Sequence, residues 1–569
     1  MKRILAVLGV LAAPAALAGC VPEGGPADAA APGAPPCEAE FGEAFGAWAD
    51  AGFSGSVALS TGGRFDCLAA YGTADPESGR QNTPDTVFAI GSVSKSFTAA
   101  AVLGLAEEGA LSLDDPAGGI LPELDGPAAE ATVEQLLLHT GGLTGSHGED
   151  HEPLDREQAI AAIGRLERAF DPGTDFLYSN GGYTLLALII DEVSEAGYRE
   201  HMAAEVLPLP GGGSAGGFWD GEPAAPGPRA VGRLDGGGTG AAGDFAGPHW
   251  ALSGGGDLAM TMEQLAAWTH ALFTGAAAVP GPAEGSGAPR FEHGDGTAEV
   301  PGWAALDETV YGAPVLMSAG GGGDTGQDVA AVWLPETERA VAVASNGPEV
   351  TAEELLEAVG PALLAGEAPP VPERPADADP AELAAAEGSY ALGGDGAFEV
   401  RADGGGLTVA ASGPDAVAAL FPLPGEFGAG DAAAHEKRVR ALLDGASREG
   451  REERAALESD FGEIAEVEID GTLVQDGELR TYVVLGTGEG EVGMWYALDR
   501  QGGIAAAEGP VDPPSLRLVP SGEGRYRPDD PTGAGPRVSV AFEDGRMTVS
   551  GPSGSATAGP ADRPSGLRD

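Results

Sequence analysis

Ser92 and Lys95 have the residue types and the spacing of a nucleophile and its base. They stand three positions apart in the segment AIGSVSK, residues 89–95. Residues three apart on a helix share a face, about 5–6 Å apart at Cβ, so the Lys95 amine can reach the Ser92 hydroxyl. The chain has only two other lysines, Lys2 and Lys437. Because a lysine loses its proton readily on burial and an arginine does not, we predict a chemical role for Lys95. The alternative is a surface lysine in the first turn of a helix.

The segments around this pair place Ser92 at the start of a buried helix. A short apolar run, residues 88–90, precedes it, and the stretch AAAVLGLA, residues 99–106, continues with strong helix formers towards Gly109. A helix N-terminus offers free N–H groups and the positive end of the helix dipole. We therefore expect this position to favour the oxyanion that forms when Ser92 attacks a carbonyl group.

Tyr178 and Asn180 form a second polar pair that suits the same chemistry. They follow a break at Pro172-Gly173 and precede the apolar stretch YTLLALII, residues 183–190. A phenol whose pKa is lowered by a nearby ammonium can pass a proton to a leaving group, and an asparagine amide can hold both an acyl group and a lysine. The alternative for these residues is a helix-capping turn without a catalytic role.

Together, the two motifs make the chain similar to the serine β-lactamase and penicillin-binding protein superfamily, in its class C β-lactamase and D,D-carboxypeptidase-like branch. The similarity extends to segments outside the motifs, such as residues 52–57, 111–116, 132–143 and 254–259. It implies an α/β (α+β) fold in which an antiparallel sheet is flanked by helices.

The same resemblance implies roles for four residues. The S-x-x-K motif gives Ser92 as the nucleophile and Lys95 as its partner. The Y-x-N motif gives Tyr178 for proton transfer and Asn180 for substrate binding. No counterpart of the acidic deacylation residue of class A enzymes is identifiable in the sequence, so the tyrosine mechanism is the better fit.

The third motif of the family is where this chain differs. Relatives carry K-T-G or H-x-G on the strand that lines the site, just before an apolar hairpin. Here the hairpin spans residues 329–346, and the segment before it, residues 317–326, reads MSAGGGGDTG. A gapless match puts Gly320 at the position of the lysine or histidine, and we expect Gly322 or Gly323 to supply an oxyanion-hole N–H. The missing cation should weaken recognition of a substrate carboxylate more than acyl transfer. The alternative is that the glycines form a flexible loop.

Three histidines lie between these motifs. His139 is in the family-like turn LLHTGGL, residues 137–143, where we expect it to organise the backbone near the site rather than to transfer protons. His147 and His151 are four residues apart and would suit a metal ion if they lay on a helix. Because their segment has the composition of a loop, we predict no metal site and no cofactor.

The first twenty residues predict export and lipid anchoring. A charged start precedes an apolar segment, residues 4–16, that is too short for a mature membrane span. The sequence LAGC then matches a bacterial lipoprotein processing box, which makes residues 1–19 a signal peptide and Cys20 the lipidated residue. Ordinary signal cleavage with a free Cys20 is the alternative. Residues 20–36 are expected to be a flexible tether, which predicts a location on the outer face of the cell membrane.

Cys37 and Cys67 are the remaining cysteines. In an exported chain they can form a disulfide that ties the N-terminal segment to an early strand. Two buried thiols are equally compatible with the sequence.

The charge balance limits the partners of the protein. The chain has 88 acidic residues against 30 lysines and arginines, a formal net charge of −58, and its pI is near 4.2. Nucleic acid is excluded as a partner because its phosphates repel such a surface. A heavily solvated exterior suits high salt. Together with the 93 glycines and the scarcity of lysine, it suggests a salt-tolerant source with a GC-rich genome.

A proline-rich segment divides the chain. We predict a hydrolase domain over residues 37–368, a linker over 369–380, a β-rich, barrel-like accessory domain over 381–555 and a disordered tail over 556–569. Short strand-like runs between glycines indicate the second domain, and residues 435–461 have the pattern of a charged helical insertion.

These observations predict an exported, lipid-anchored serine acyl hydrolase near the cell wall. It would form an acyl-enzyme on Ser92 from an amide or ester of a small molecule or peptide, in the manner of a β-lactamase, D,D-peptidase or esterase. The alternative is a wall-binding or sensor lipoprotein that keeps the fold but has lost turnover together with the third-motif cation.

Overall fold

The structure is a computed structural model. It describes residues 37–561 except 235–238, 240–246, 283–288, 322–324, 366, 395, 426, 476–477, 489, 499–501 and 534. The predicted signal peptide and tether, with Cys20, lie outside the described residues, as do Gly322 and Gly323. Within the described ranges, no helix has the length and apolar character needed to cross a membrane.

The N-terminal unit is a sheet between two layers of helices. Its helices are α1 (Ala39–Asp50), α2 (Ser94–Glu107), α3 (Ala117–Ile120), α4 (Val133–Leu137), α5 (Arg156–Ile163), α6 (Asn180–Val193), α7 (Tyr198–His201), α8 (Met262–Phe273), α9 (Glu308–Tyr311) and α10 (Ala352–Ala365). Its strands are β1 (Gly55–Thr61), β2 (Arg64–Tyr71), β3 (Thr73–Asp75), β4 (Arg80–Gln81), β5 (Phe88–Ala89), β6 (Leu143–Thr144), β7 (Glu167–Arg168), β8 (Gly217–Phe218), β9 (Leu258–Met260), β10 (Phe291–Glu292), β11 (Ala298–Val300), β12 (Trp303–Ala305), β13 (Leu316–Gly321), β14 (Asp328–Leu334) and β15 (Arg339–Ser345).

The main sheet has eight strands in the order β10-β11-β12-β13-β14-β15-β1-β2. Its pairings are antiparallel, and β1 pairs with β15 with Gly55 opposite Ser345. One face of the sheet packs against α2 and α8, with α6 behind α2, and the other packs against α1 and α10. Because β13 to β15 are covered on both faces, they are almost continuously apolar.

Aromatic packing fixes the helix that carries Lys95. Phe97 on α2 stacks on Trp268 on α8, with ring centroids 3.6 Å apart, and both side chains are fully buried. Truncation of such a residue to alanine costs about 3–5 kcal/mol. The position of α2 over the sheet is therefore strongly specified.

A disulfide between Cys37 and Cys67 joins the start of α1 to β2.

The C-terminal unit is a closed barrel with an inserted sheet. Its helices are α11 (Pro380–Ala386), α12 (Pro414–Leu420), α13 (Ala429–Leu443) and α14 (Arg448–Phe461). Its strands are β16 (Gly388–Ala391), β17 (Ala397–Asp403), β18 (Gly406–Ser412), β19 (Ile464–Gln475), β20 (Glu478–Thr487), β21 (Gly490–Leu498), β22 (Ile504–Glu508), β23 (Ser515–Gly522), β24 (Arg525–Pro528), β25 (Ser539–Glu543), β26 (Arg546–Gly551) and β27 (Gly554–Ala561).

The barrel has the order β16-β17-β18-β23-β24-β25-β26-β27 and is closed by pairing of β16 with β27. The inserted part lies between β18 and β23, and there α13 and α14 cover the sheet β19-β20-β21-β22. The predicted fold class, an α/β (α+β) domain with an antiparallel sheet followed by a mostly β, barrel-like domain, is confirmed.

The boundary between the two units lies in residues 367–379, which form neither helix nor strand. The Trp48 indole N–H donates to the carbonyl of Pro370 at 2.8 Å, and Arg527 of the barrel lies 3.7 Å from the Glu373 carboxylate. At the other end of the barrel, β27 extends to Ala561. The predicted end of this domain at residue 555 is therefore too early.

Candidate active site

Ser92 lies in a tight turn immediately before α2. Gly91, Ser92 and Val93 form one turn of 3₁₀-helix that leads directly into the α-helix, so the predicted helix start is preceded by this tighter turn. Gly91 has a φ of 48°, and a Cβ on it would lie 2.7 Å from the Gly321 amide nitrogen. A glycine is therefore required at this position both by its backbone conformation and by the closeness of β13.

Lys95 is buried and makes three polar contacts. Its Nζ lies 3.0 Å from Ser92 Oγ, 2.9 Å from Asn180 Oδ1 and 3.0 Å from the carbonyl oxygen of Gly255. A neutral amine can donate two hydrogens, here to Asn180 and Gly255, and still accept one with its lone pair. The arrangement is thus suited to a neutral Lys95 that accepts the hydroxyl hydrogen of Ser92.

The environment of Lys95 favours this neutral form. Burial lowers its pKa from 10.5 to about 7, against a smaller opposing effect of the Asp150 carboxylate. The rings of Tyr178 and Tyr183, with centroids 4.8 Å and 5.7 Å from Lys95 Nζ, act in the opposite direction, because a ring face attracts a cation. At neutral pH, a large share of the protein therefore has an unprotonated amine beside Ser92.

Tyr178 completes the hydrogen-bonded set. Its hydroxyl donates to Ser92 Oγ at 2.8 Å, and its ring stacks on that of His139 with centroids 4.5 Å apart. Although 47 % of Tyr178 is exposed, its hydroxyl points into the site. Burial, reinforced by the Glu299 carboxylate, raises its pKa to about 12. The expectation that the lysine lowers this pKa is therefore wrong, and Tyr178 is a protonated donor in the resting site.

His139 holds the backbone on both sides of Tyr178. The backbone N–H of Ser179 donates to Nδ1 of His139 at 3.1 Å. The backbone carbonyl of His139 accepts from the N–H of Leu177 at 2.9 Å. Burial and, to a smaller extent, Lys95 lower the pKa of His139 to about 3, so the imidazole is neutral. These contacts hold the segment that carries Tyr178 and match the backbone-organising role expected for His139.

Gly320 has a different place from the one the sequence suggests. A Cβ on Gly320 would lie 2.5 Å from Ser92 Cβ and 2.4 Å from the Ser92 amide nitrogen. No lysine or histidine side chain fits there, so the interpretation of Gly320 as the position of the missing cation is wrong. The residue two places earlier on the same face of β13 is Ser318, which is buried. The sequence of β13, LMSAGG, contains no cation at all, so the charge deficit at the third motif remains.

Three parts of the site were not predicted from the sequence. The first is the Gly255 carbonyl, since a backbone acceptor has no side-chain signal. The second is Gln327, a buried side chain whose Oε1 accepts from the N–H of Ala89 at 3.0 Å and links β5 to the start of β14. The third is Glu299 on β11, whose Oε1 lies 3.1 Å from Nε2 of His293.

The two histidines considered for a metal do not form a helical pair. Residues 145–155 have no helix, His147 is buried and His151 is exposed. Within the part of the chain that the structure describes, no group of three or more His, Cys, Asp or Glu residues could hold a metal ion.

Comparison with known proteins gives the same assignment of the N-terminal unit. A sequence model of the Beta-lactamase family matches residues 46–364. A relative from Staphylococcus aureus, named teichoic acid D-alanine hydrolase, is 34 % identical over 157 residues, which are 27 % of this chain and 38 % of the relative. The chain thus spans well under half the length of this curated relative.

Among solved structures, the octameric penicillin-binding protein homologue from Pyrococcus abyssi has a TM-score of 0.51 at 18 % identity. The similarity covers 91 % of this chain and 99 % of that protein, so it extends over the fold of both units. Since the family match spans more than half of the chain and includes Ser92, Lys95 and Tyr178, this protein belongs to the beta-lactamase family of serine hydrolases.

Proposed function

We propose that the protein is an exported serine acyl hydrolase that forms an acyl-enzyme on Ser92. The observation that carries the proposal is the set of hydrogen bonds at Ser92 Oγ, 2.8 Å from the Tyr178 hydroxyl and 3.0 Å from the Lys95 amine. Export, and a lipid anchor at Cys20 that would keep the enzyme near the cell wall, rest on the sequence of the first twenty residues.

In the acylation step, the neutral Lys95 amine takes the proton of Ser92 while Oγ bonds to the substrate carbonyl carbon. The carbonyl oxygen becomes an oxyanion, for which we propose the N–H groups of Ser92 and Gly321 as donors. Collapse of this intermediate breaks the bond to the leaving group. Tyr178 gives its proton to that group and is reprotonated by the Lys95 ammonium.

In the deacylation step, a water molecule attacks the Ser92 ester. The water gives a proton to the neutral Lys95 amine, and this proton returns to Ser92 Oγ as the acid product leaves. Asn180 has two roles in this scheme. Its Oδ1 orients Lys95 at 2.9 Å, and its amide N–H group is available to the acyl group of the substrate.

The absence of a cation on β13 favours a substrate without a carboxylate at that side. A charge-assisted hydrogen bond to a carboxylate contributes about 1.5–3 kcal/mol where it is made. The name of the staphylococcal relative makes a D-alanyl ester a candidate substrate, and the acyl part of such an ester carries no carboxylate. We therefore propose an esterase-type activity.

The test is a comparison of kcat/KM between a neutral short-chain ester and a carboxylate-bearing β-lactam. We expect the ester to be preferred by roughly tenfold or more, the ratio that corresponds to the loss of one charge-assisted bond. A clear preference for the anionic β-lactam would refute the esterase assignment. An absence of any covalent labelling by a fluorophosphonate would refute the serine hydrolase proposal itself.

A further inference from the structure

Glu299 lies on a hairpin that forms one side of the site. Phe291 pairs with Glu299 across β10 and β11, so the two side chains share a face of the hairpin. On this face, Phe291 and His293 contact Phe176, with ring centroids 6.5 Å and 4.7 Å away. Phe176 is two residues before Tyr178, so the face that carries Glu299 is turned towards the tyrosine segment.

The turn between β11 and β12 packs this hairpin against α2, the helix that carries Lys95. Gly302 connects β11 to β12 with a φ of 74°, and a Cβ on it would lie 2.6 Å from Ser96 Cα and 3.0 Å from the Lys95 carbonyl oxygen. Glu299 is three residues from this contact. Its carboxylate is therefore held by backbone packing beside the site rather than on a free loop.

Both phenols of the site are within electrostatic reach of Glu299. After burial, this carboxylate is the group that raises the pKa of Tyr178, and it also contributes to the raised pKa of Tyr183. The Glu299 side chain is 19 % exposed, so it is neither sealed in the core nor fully solvated. Within the described residues, the hydrogen-bond partner of Glu299 is His293, at Oε1, which leaves Oε2 for a ligand.

The remaining charges make this side of the site anionic. Lys95 is the only described lysine or arginine with a hydrogen bond to Ser92 or Asn180. Arg290 of the same hairpin pairs with Glu292 and lines a cavity that includes Pro335. Arg290 and Glu292 flank Phe291, which pairs with Glu299. Since successive side chains of an extended segment point to opposite faces, the Arg290–Glu292 pair lies on the other face of the hairpin from Glu299.

We propose that Glu299, oriented by His293, binds the ammonium group of an aminoacyl ester whose carbonyl carbon is attacked by Ser92. This inference rests on the proposed function, because it assigns the binding of a substrate that Ser92 must acylate. It names the chemical class of the acyl group as one with a free amine. It also gives a reason why a carboxylate lies beside a site that has no cation on β13.

The test compares the D-alanyl ester and the propionyl ester of the same alcohol, which differ only in the amine. We expect the wild type to prefer the D-alanyl ester by roughly tenfold or more in kcat/KM, as for one charge-assisted bond. Glu299→Gln should lose this preference mainly through KM, so that its kcat/KM values for the two esters become similar. Glu299→Asp should retain part of the preference.

Glu292→Gln is the matched control, since Glu292 is an exposed glutamate of the same hairpin, and it should leave both rates unchanged. Equal loss on both esters in Glu299→Gln would mean that Glu299 acts only on Tyr178 or on folding, and would overturn the proposal. So would a wild type that hydrolyses the N-acetyl-D-alanyl ester as well as the free amine, a result that needs no variant. If fluorophosphonate labels Ser92 but the wild type shows no preference for the amine, the ammonium site alone is refuted. If neither ester nor fluorophosphonate acylates Ser92, the proposed function fails as well.

Discussion

Replacement of Lys95 by arginine separates the base function of this residue from its charge. With a pKa of about 7, about half of the Lys95 side chains are neutral at pH 7, compared with about one in 2,500 for an ordinary lysine. The difference of about 3.4 pK units corresponds to roughly 4–5 kcal/mol. An arginine keeps the positive charge, but at pH 7 less than about one in 10⁵ is neutral.

We therefore expect Lys95→Arg to slow acylation of Ser92 by at least about 10³-fold, within the range lost when a general base is removed. The assay is the single-turnover rate of labelling by a fluorophosphonate, together with a thermal melt that verifies the fold. Lys437→Arg makes the same chemical change at an exposed position and should have no effect. A near-normal labelling rate in Lys95→Arg, with the fold intact, would show that the lysine is structural and would refute the reasoning.

Three further predictions follow from the same contacts. The kcat/KM for an ester should rise as the pH passes about 7, where Lys95 loses its proton. It should not fall until the alkaline range in which Tyr178, with a pKa of about 12, is deprotonated. A profile that is flat between about pH 5 and 9 would contradict the role of the amine. Gly320→Ala should abolish labelling of Ser92, because the added Cβ would lie 2.5 Å from Ser92 Cβ. The control Gly360→Ala, with nothing within 4 Å of the added Cβ, should be labelled normally. Equal labelling of the two variants would show that β13 can move away from Ser92. Burial, together with Glu353, raises the pKa of Asp328 from 3.8 to about 7, so the folded state loses stability as the pH rises from about 4 to about 7. At pH 8, Asp328→Asn should therefore be more stable than the wild type by about 4 kcal/mol. In denaturant titrations, a gain that is no larger at pH 8 than at pH 5 would show that the pKa of Asp328 is not raised in this way.

The local chemistry of the site was predictable because it depends on short sequence separations. Ser92 and Lys95 are three residues apart, and helix geometry alone puts them on one face. The apolar segments around residues 329–346 likewise predict the hairpin of β14 and β15, which the structure has in the expected place. Such features depend on periodicity and turns that any short window of the sequence contains.

The rest of the site depends on contacts between distant segments. Gly255 is 160 residues from Lys95, and it acts through a carbonyl that every residue has. Gly320 was assigned to a side-chain position because a gapless match cannot show that its Cα touches Ser92. The direction of the Tyr178 pKa shift was missed for a similar reason, since it is set by burial and by Glu299, which lies on a strand from another part of the chain.

The central claim is that Ser92 is the residue that becomes acylated. The most direct measurement is mass spectrometry of the peptide modified by a fluorophosphonate in the wild type and in Ser92→Ala. Our account predicts one adduct, on Ser92, that is absent from the variant. An adduct on another residue, or labelling that persists in Ser92→Ala, would contradict it.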